Sequence, residues 1–268
     1  MYEYWGFEKV GEKMSAKQYL NEILEVFKDE LHDNLVGVYL HGSLAMECFN
    51  PTKSDVDVLV VCETGISDDI KMRIIKRLLE ITSGNANQLE MSIVLKKYVS
   101  TFVYPTPFEL HYFHPRYLED ENYICGGPGF EDHDLAAHMM ITYHRGRTLF
   151  GEEIKNIFKP MKREYYIQSI MNDIEDATKG IIKNPVYFTL NLCKVLLYLK
   201  EEKISSKKEG GLWGTKNLPS EFQTIVRECF DVYIGRTSET NLDNEELLRF
   251  ANWMLNESHQ LKSIRLKE

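Results

Sequence analysis

The spacing of apolar residues changes several times along the first hundred positions, and each change predicts an element. Residues 15–33 repeat apolar side chains every three to four positions, which predicts an amphipathic helix with the initial serine as its N-cap. Helical spacing returns at residues 68–82. Three short apolar stretches have instead the character of strands: residues 36–43, 54–62 and 89–99. A strand, a short helix, a strand, a helix and a strand in this order are typical of an α/β unit.

The second half of the chain has a different pattern. CGGPG at residues 125–129 predicts a loop, and helical spacing resumes at residues 133–147. Strand alternation is absent after Pro160, which makes this proline the predicted domain boundary. Four further helices are predicted: residues 165–182, 186–201, 221–233 and 244–261. We therefore expect an α/β domain over residues 1–159 and an all-helical domain over residues 160–268.

Composition restricts the class of protein. The 268 residues are 43% hydrophobic and 27% charged, as in ordinary folded proteins. Acidic residues outnumber basic ones 41 to 32, and the net charge of −9 disfavours nucleic acid as a partner. Five cysteines without a C-x-x-C pair suggest neither a disulfide framework nor a zinc ribbon. With no apolar leader and no uninterrupted apolar span, we expect a cytoplasmic protein without membrane contact.

One motif carries candidate chemistry. Gly42-Ser43 closes the first predicted strand, and the second strand begins with Asp55 and Asp57 on one face. Two carboxylates on one face repel unless a cation lies between them, and Mg²⁺ is commonly held by one or two carboxylates with substrate phosphates. Gly42 allows backbone N–H groups to approach a phosphate, and the Ser43 hydroxyl can donate to its oxygens.

A third acid lies in the next predicted strand. Glu90 alternates with the apolar side chains of that strand, so it joins Asp55 and Asp57 if the strands are neighbours. Three converging acids supply metal ligands and a general base that takes a proton from an attacking hydroxyl. An isolated D-x-D pattern is common in strands, and the glycine-serine turn and third acid make the catalytic interpretation the favoured one.

These motifs identify a resemblance. Gly-Ser, SDVD and Glu90 together resemble the nucleotidyltransferases of the polymerase-beta-like superfamily. Five segments extend the similarity, along nearly the whole chain, to the aminoglycoside O-adenylyltransferases that inactivate spectinomycin and streptomycin: YLHGSLAMECFNPTKSDVDVLVV, LEMSIVL, PTPFELHYF, FTLNLCKVLLYLKEEKISSKKEGGLW and FDVYIG. The resemblance implies an α/β nucleotidyltransferase domain, a mixed sheet with flanking helices, followed by an all-α helical bundle.

The resemblance also implies roles for individual residues. Asp55, Asp57 and Glu90 would bind Mg²⁺, and Glu90 would also act as the catalytic base. Residues expected to contact ATP are Gly42, Ser43, Ser54, Lys194, Lys207 and Tyr233. Residues expected to contact the acceptor are Asn184, Tyr187 and Glu109. For Glu109 the alternative is a structural pairing with a nearby base.

The helix predicted at residues 186–201 has two stripes. Tyr187, Asn191, Lys194 and Tyr198 follow one another at steps of three and four residues and form a polar stripe. A stripe that is half aromatic suits the wall of a cleft between the two domains, and the alternative is a solvated helix face. Lys207 would otherwise be a solvated loop charge, and as an ATP contact it would act as a point-charge donor to phosphate.

Two positions favour one acceptor. Family members that modify both drugs have a tryptophan and an aspartate where this chain has Pro115 and Asn184. Loss of an indole platform and of a carboxylate should weaken streptomycin binding more than spectinomycin binding. We therefore expect a monomeric enzyme that uses ATP as substrate and Mg²⁺ as cofactor to adenylylate spectinomycin.

Alternatives remain open at this stage. The same fold could act on streptomycin or another drug, or on RNA ends, which would require a basic groove. A non-catalytic, nucleotide-binding partner protein of the antitoxin-like kind is the alternative outside enzymes. Several histidines suggest a metal site, but their spacing favours surface or core imidazoles: His111, His114, His133, His138 and His144.

Overall fold

The computed structural model describes residues 6–9, 12–50, 54–82, 89–120 and 122–267. The chain divides into two compact units, Met1–Met161 and Lys162–Glu268. The first unit ends one residue after Pro160, the position of the expected domain boundary.

The first unit contains nine strands and seven α-helices among its described residues. In chain order they are β1 (Gly6–Lys9), β2 (Glu12–Ser15), α1 (Ala16–Leu31), β3 (Leu35–His41), α2 (Gly42–Ala45), β4 (Val56–Cys62), α3 (Asp68–Thr82), β5 (Leu89–Leu95), α4 (Lys96–Ser100), β6 (Thr106–Pro107), β7 (Leu110–Phe113), α5 (His114–Glu119), β8 (Glu131–Asp132), α6 (Leu135–Arg145), β9 (Arg147–Gly151) and α7 (Ile154–Ile157).

A five-stranded mixed sheet forms the centre of this unit. Its strand order is β7-β5-β4-β3-β9, in which β4 and β5 are parallel and the other neighbours are antiparallel. The parallel pair is connected by α3, because parallel neighbours need a crossover connection. Two two-stranded sheets, β1-β2 and β6-β8, complete the β-structure of the described residues.

Alternating side chains fill two cores, one on each face of the sheet. Val58 and Met91 belong to the core that α1 and α3 cover, whereas Leu59 and Val94 belong to the core that α6 and α7 cover. Helix α1 begins as expected at Ser15, whose hydroxyl accepts a hydrogen bond from the Gln18 N–H within a reciprocal capping box. The sheet is therefore buried on both faces, as the apolar runs of β4 and β5 require.

The second unit is helical throughout its described residues. Its helices are α8 (Arg163–Glu175), α9 (Ala177–Gly180), α10 (Pro185–Glu201), α11 (Lys207–Asn217), α12 (Ser220–Tyr233) and α13 (Asn244–Arg265). Helix α10 is the central one and packs against the other five. Helix α11 approaches it closely at Gly210, which has no side chain. A Cβ atom at this position would lie only 2.8 Å from the backbone N of Lys194.

The expected mixed sheet, flanking helices and helical bundle are confirmed, and several details are corrected. The third strand ends at Leu95, and Lys96–Ser100 is a short helix rather than a continuation of that strand. Edge strands β7 and β9 were not predicted, since both are short and only partly buried. The helix predicted over residues 165–182 is interrupted at Asp176.

Two further observations concern cysteines and membranes. All five cysteines are free thiols. Within the described part of the chain, no helix has the length and apolar character needed to cross a membrane.

Candidate active site

Four strands contribute one residue each to a row that crosses the sheet where β3 ends. His41 is the ladder partner of Asp57, and Asp57 is the partner of Glu90. Glu90 is in turn paired with Phe113. Because in-register residues on neighbouring strands share a face, all four project from the same side of the sheet. We call His41, Asp57, Glu90 and Phe113 the transverse row.

The two carboxylates of the transverse row are immediate neighbours. Adjacent strands are about 4.8 Å apart, so Asp57 and Glu90 lie side by side, and both are half-buried. Negative groups at this separation repel unless a cation or a proton lies between them. The register of β4 and β5 therefore places Glu90 beside Asp57, whereas Asp55 precedes β4 and is not part of this ladder.

The turn after β3 brings the backbone against Asp57. Gly42 has a φ of +63°, and a Cβ atom at this position would overlap the Asp57 carboxylate. Glycine is thus required both for conformation and for space. The neighbouring Ser43 hydroxyl oxygen is buried and has no hydrogen-bond partner among the described residues. Since buried hydroxyls normally have a partner, Ser43 has unused capacity for a ligand oxygen.

Ser54 and Asp55 lie at the same end of the sheet, just before β4. The Ser54 hydroxyl accepts a hydrogen bond from the Asn50 N–H at 3.0 Å, and the Ser54 N–H donates to the Asn50 carbonyl at 2.8 Å. Asp55 follows directly, and its charge acts on buried Tyr19 of α1. Burial is the main cause that raises the pKa of Tyr19, and Tyr112 and Asp55 add to it. Ser54 is therefore held against Asn50 by two hydrogen bonds, directly before Asp55.

The donor set fits magnesium without forming a complete cage. Across the described ranges, no group of three or more His, Cys, Asp or Glu side chains is already gathered so as to hold a metal ion. Mg²⁺ is usually bound by one or two carboxylates together with phosphate oxygens and water, so a preformed cage is not required. Asp57 and Glu90 in register, with Asp55 two residues before Asp57, are oxygen donors of this kind.

Imidazole rings lie on the same face as the two acids. Buried His41 contacts His138 of α6, with ring centroids 4.9 Å apart. His111 of β7 is hydrogen-bonded through Nδ1 to the hydroxyl of Ser92, which is two residues beyond Glu90 in β5. Burial, with His138 adding to it, lowers the pKa of His41 well below its ordinary value. Burial also lowers the pKa of His111, although the charge of Glu90 opposes the shift.

The sequence-based predictions do not include this layer of imidazoles. His111 and His138 are predicted from spacing to be ordinary surface or core residues, and His41 is in none of the predicted sites. A usable signal was the position of His41, which ends a predicted strand directly before Gly42-Ser43. The other two histidines become neighbours only through the pairing of β7 with β5 and the packing of α6, which spacing does not reveal.

Glu109 does not join the acids. Its carboxylate accepts a hydrogen bond from the Ile66 N–H at 3.2 Å, and Ile66 follows the far end of β4. At about 3.3 Å per strand residue, that end is several residues distant from Asp57. The expectation that Glu109 lines the same site is therefore not supported by its position, and its partner is a backbone N–H rather than a basic side chain.

The helical unit gathers most of its predicted residues in one region. Lys207 is the first residue of α11, and its Nζ lies 4.6 Å from the ring centroid of exposed Tyr187 in α10. Tyr233 ends α12 and packs in a small cluster with Leu190 of α10. Lys194 forms an ion pair with Asp173 at 3.8 Å. Lys207 thus begins a helix that the sequence patterns did not predict and does not lie in a loop.

Asn184 and the polar stripe have different surroundings. Asn184 is exposed and precedes the first turn of α10. Asn191 and Tyr198 are buried, so the stripe predicted along this helix is not a continuous solvated or cleft-facing surface. Tyr198 instead contacts Tyr166 of α8 edge to face, with centroids 4.5 Å apart.

Comparisons with known proteins cover both units. The family model described as "Nucleotidyltransferase domain" matches residues 20–107. The family model described as "Aminoglycoside adenylyltransferase, C-terminal domain" matches residues 156–257. The chain belongs to the aminoglycoside adenylyltransferase family. This adenylyltransferase is thus an enzyme of the nucleotidyltransferase class, as its acidic row and glycine turn suggest.

Full-length relatives have the same organisation. The chain is 23% identical to a spectinomycin 9-adenylyltransferase of Campylobacter jejuni, over 91% of this chain and 96% of the relative. It is 27% identical to the Staphylococcus aureus protein of that name, over 81% and 88%. It is 23% identical to an aminoglycoside (3'')(9) adenylyltransferase of Klebsiella pneumoniae, over 93% and 97%.

A solved structure confirms the fold of the adenylyltransferase. The crystal structure of spectinomycin adenyltransferase AAD(9) from Enterococcus faecalis, with ATP and spectinomycin, superimposes with a TM-score of 0.77. The match covers 91% of this chain and 99% of the other at 20% sequence identity.

Replacing Gly42 tests the close contact with Asp57. We expect Gly42→Ala to reduce adenylyl transfer by about 100-fold, since displacement of a reacting group by about 1 Å can cost that much. Gly129→Ala is the matched control, because Gly129 has a φ of +88° but nothing within 4 Å of an added Cβ. Initial rates and urea unfolding of both variants provide the measurement. Equal losses of activity would show that backbone strain alone explains the effect.

The buried state of His41 predicts how the stability of the adenylyltransferase depends on pH. Its folded pKa lies below the unfolded value of about 6.5, so the unfolded state binds more protons and the free energy of unfolding falls below that pH. The contribution of one such group is up to ~1.4 kcal/mol per pH unit. Urea unfolding in EDTA between pH 7 and 5 should show a shallower slope for His41→Asn. Exposed His259→Asn is the control, and identical slopes for His41→Asn and the unmodified enzyme would contradict the assignment.

Proposed function

We propose that this enzyme transfers AMP from ATP, with Mg²⁺, to a hydroxyl of an aminocyclitol or aminoglycoside antibiotic, with the 9-hydroxyl of spectinomycin as the preferred acceptor. The observation that carries the proposal is the register that makes Asp57 and Glu90 neighbours at the glycine-serine turn. The names of the relatives support the choice of reaction and acceptor.

The chemistry assigns Glu90 as the general base. Its carboxylate takes the proton of the acceptor hydroxyl, whose oxygen attacks the α-phosphorus of ATP in line with the bond to the departing pyrophosphate. The new bond joins the acceptor oxygen to the α-phosphorus, and the bond to the bridging oxygen of pyrophosphate breaks. The neutral imidazoles of His41, at the end of the row, and of His111 add no positive charge that would compete for the Glu90 carboxylate.

Asp55 and Asp57 are the proposed magnesium ligands. When bound, Mg²⁺ would neutralise charge on the triphosphate and on the reacting phosphoryl group. Gly42 and Ser43 would contact the triphosphate on the other side of Asp57. The Ser43 hydroxyl would then gain the hydrogen-bond partner that it lacks among the described residues.

The helical unit would contribute to substrate binding through the residues already located in it. We propose that Lys194, Lys207 and Tyr233 contact ATP, with the lysines acting as phosphate donors. Tyr187 and Asn184 are both exposed, which is consistent with contact to the acceptor. Pro115 lies in the first turn of α5, and an indole platform is thus missing where streptomycin-modifying members have tryptophan.

A mass-spectrometric assay tests the proposed function. The purified enzyme is incubated with ATP, Mg²⁺ and one drug, and the products are examined for addition of an AMP unit. We expect modification of spectinomycin, much weaker modification of streptomycin, and none when EDTA is added. Modification of streptomycin alone would refute the specificity argument, and absence of modification with every drug would refute the function.

Replacing the proposed base separates chemistry from binding. We expect Glu90→Gln to lower kcat by about 100- to 10,000-fold, the usual contribution of a general base. ATP binding, measured by calorimetry with Mg²⁺, should change little because Asp55 and Asp57 remain. Glu80→Gln is the control, since Glu80 is exposed on α3 outside the transverse row. Equal loss of ATP affinity and turnover would rule out the assignment of Glu90 as base.

A further inference from the structure

The last residue of β7 is an aromatic side chain with no evident structural use. Phe113 is 37% exposed at the edge of the sheet, although it is directly opposite Glu90 in the β5–β7 ladder. Residues directly opposite in an antiparallel pair have Cβ atoms about 4.5–5.5 Å apart. The phenyl ring is therefore placed beside the proposed base on the same face of the sheet.

Core packing does not account for this ring. Its chain neighbour Tyr112 points to the opposite face, is fully buried and stacks on Tyr117 with centroids 5.0 Å apart. Phe113 belongs to neither core of the sheet and has no aromatic or cationic partner among the described residues.

The other exposed phenylalanine side chains that the structure describes in this unit do have partners. Phe130 contacts the ring of Phe108 with centroids 6.0 Å apart, and Phe150 has the Lys28 ammonium 5.1 Å from its centroid. Since each of these rings is partly covered within the chain, their exposure needs no ligand. The exposure of Phe113, beside the carboxylate proposed as the base, is instead explained by contact with a ligand.

The order of the transverse row indicates which substrate meets the ring. Gly42 and Ser43 follow His41 at one end of the row, so the triphosphate belongs beside Asp57. Phe113 is at the other end, beyond Glu90. A base must touch the acceptor hydroxyl, and the acceptor therefore approaches from the Phe113 side of Glu90.

The chemistry of this corner suits a saturated, amine-bearing ring. An aromatic face attracts ammonium groups through cation–π interaction, and adjacent carboxylates add charge attraction. We propose that Phe113 is an acceptor-binding residue whose phenyl face packs against the amine-bearing ring of the antibiotic and holds its hydroxyl at Glu90. The inference rests on the proposed function and adds to it a specificity-determining residue.

Steady-state kinetics of four variants test the inference. Phe113→Ala should raise the KM for spectinomycin about 3- to 30-fold, the range of a desolvated cation–π contact, while the KM for ATP changes less than about twofold. Phe113→Trp should restore a low KM, whereas Phe113→Leu, which keeps apolar bulk without a π face, should not. Phe150→Ala is the matched control, with the same 37% exposure on the opposite edge strand.

The outcomes distinguish this inference from the proposed function. A raised KM for ATP with an unchanged KM for spectinomycin would make Phe113 an adenine platform, and no change in either would make it an ordinary surface residue; both results overturn the inference. If the unmodified enzyme modifies no drug, the proposed function fails. Calorimetric binding of spectinomycin then becomes the only test of the role of Phe113. Weaker binding by Phe113→Ala than by Phe150→Ala would support the inference, and equal binding or no binding to the unmodified enzyme would overturn it.

Discussion

The parallel pairing of β4 with β5 is the constraint on which the site depends. Each strand carries an acid as its second residue, and the register makes Asp57 and Glu90 lateral neighbours. A slip of one residue would turn one of the acids to the other face. Such a slip is prevented because both faces of the sheet are buried, with Val58 and Met91 in one core and Leu59 and Val94 in the other. The same hydrophobic alternation that stabilises the sheet therefore positions the carboxylates.

The surroundings of this pair divide the row into two sides. On one side, Gly42 brings the backbone against Asp57 and leaves the Ser43 hydroxyl without a partner among the described residues. On the other side, Phe113 exposes an aromatic face next to Glu90. On the same face as the acids, the imidazoles of His41 and His111 remain neutral near pH 7 and leave the negative charge available for a cation. Each side thus has the chemistry that its proposed substrate requires.

Much of the fold was predictable because it rests on local patterns. The alternation in β4 and β5 and the capped helix α1 are visible in the sequence, and the alternation predicts that Asp57 and Glu90 lie on the face opposite Val58 and Met91. Strands β7 and β9 were missed because they are short edge strands stabilised by partners distant in sequence. Because β7 was not among the predicted strands, its residues Phe113 and His111 could not be recognised as neighbours of Glu90.

Other errors had local signals that were overlooked. Helix α11 begins with Ser206, whose hydroxyl and the Glu209 side chain form a capping box, a pattern that sequence reasoning can detect. Helix α11 was not predicted because its glycines lower helix propensity. The same glycines allow close packing on α10. The position of Glu109 could not have been found in this way, since its hydrogen bond to Ile66 depends on the tertiary arrangement.

A crystal structure with Mn²⁺, a non-hydrolysable ATP analogue and spectinomycin measures the central claim most directly. The anomalous signal of manganese should lie against the carboxylates of Asp55 and Asp57, with the Glu90 carboxylate within hydrogen-bonding distance of a drug hydroxyl. Manganese bound elsewhere, or a Glu90 side chain turned away from the acceptor, would contradict the account.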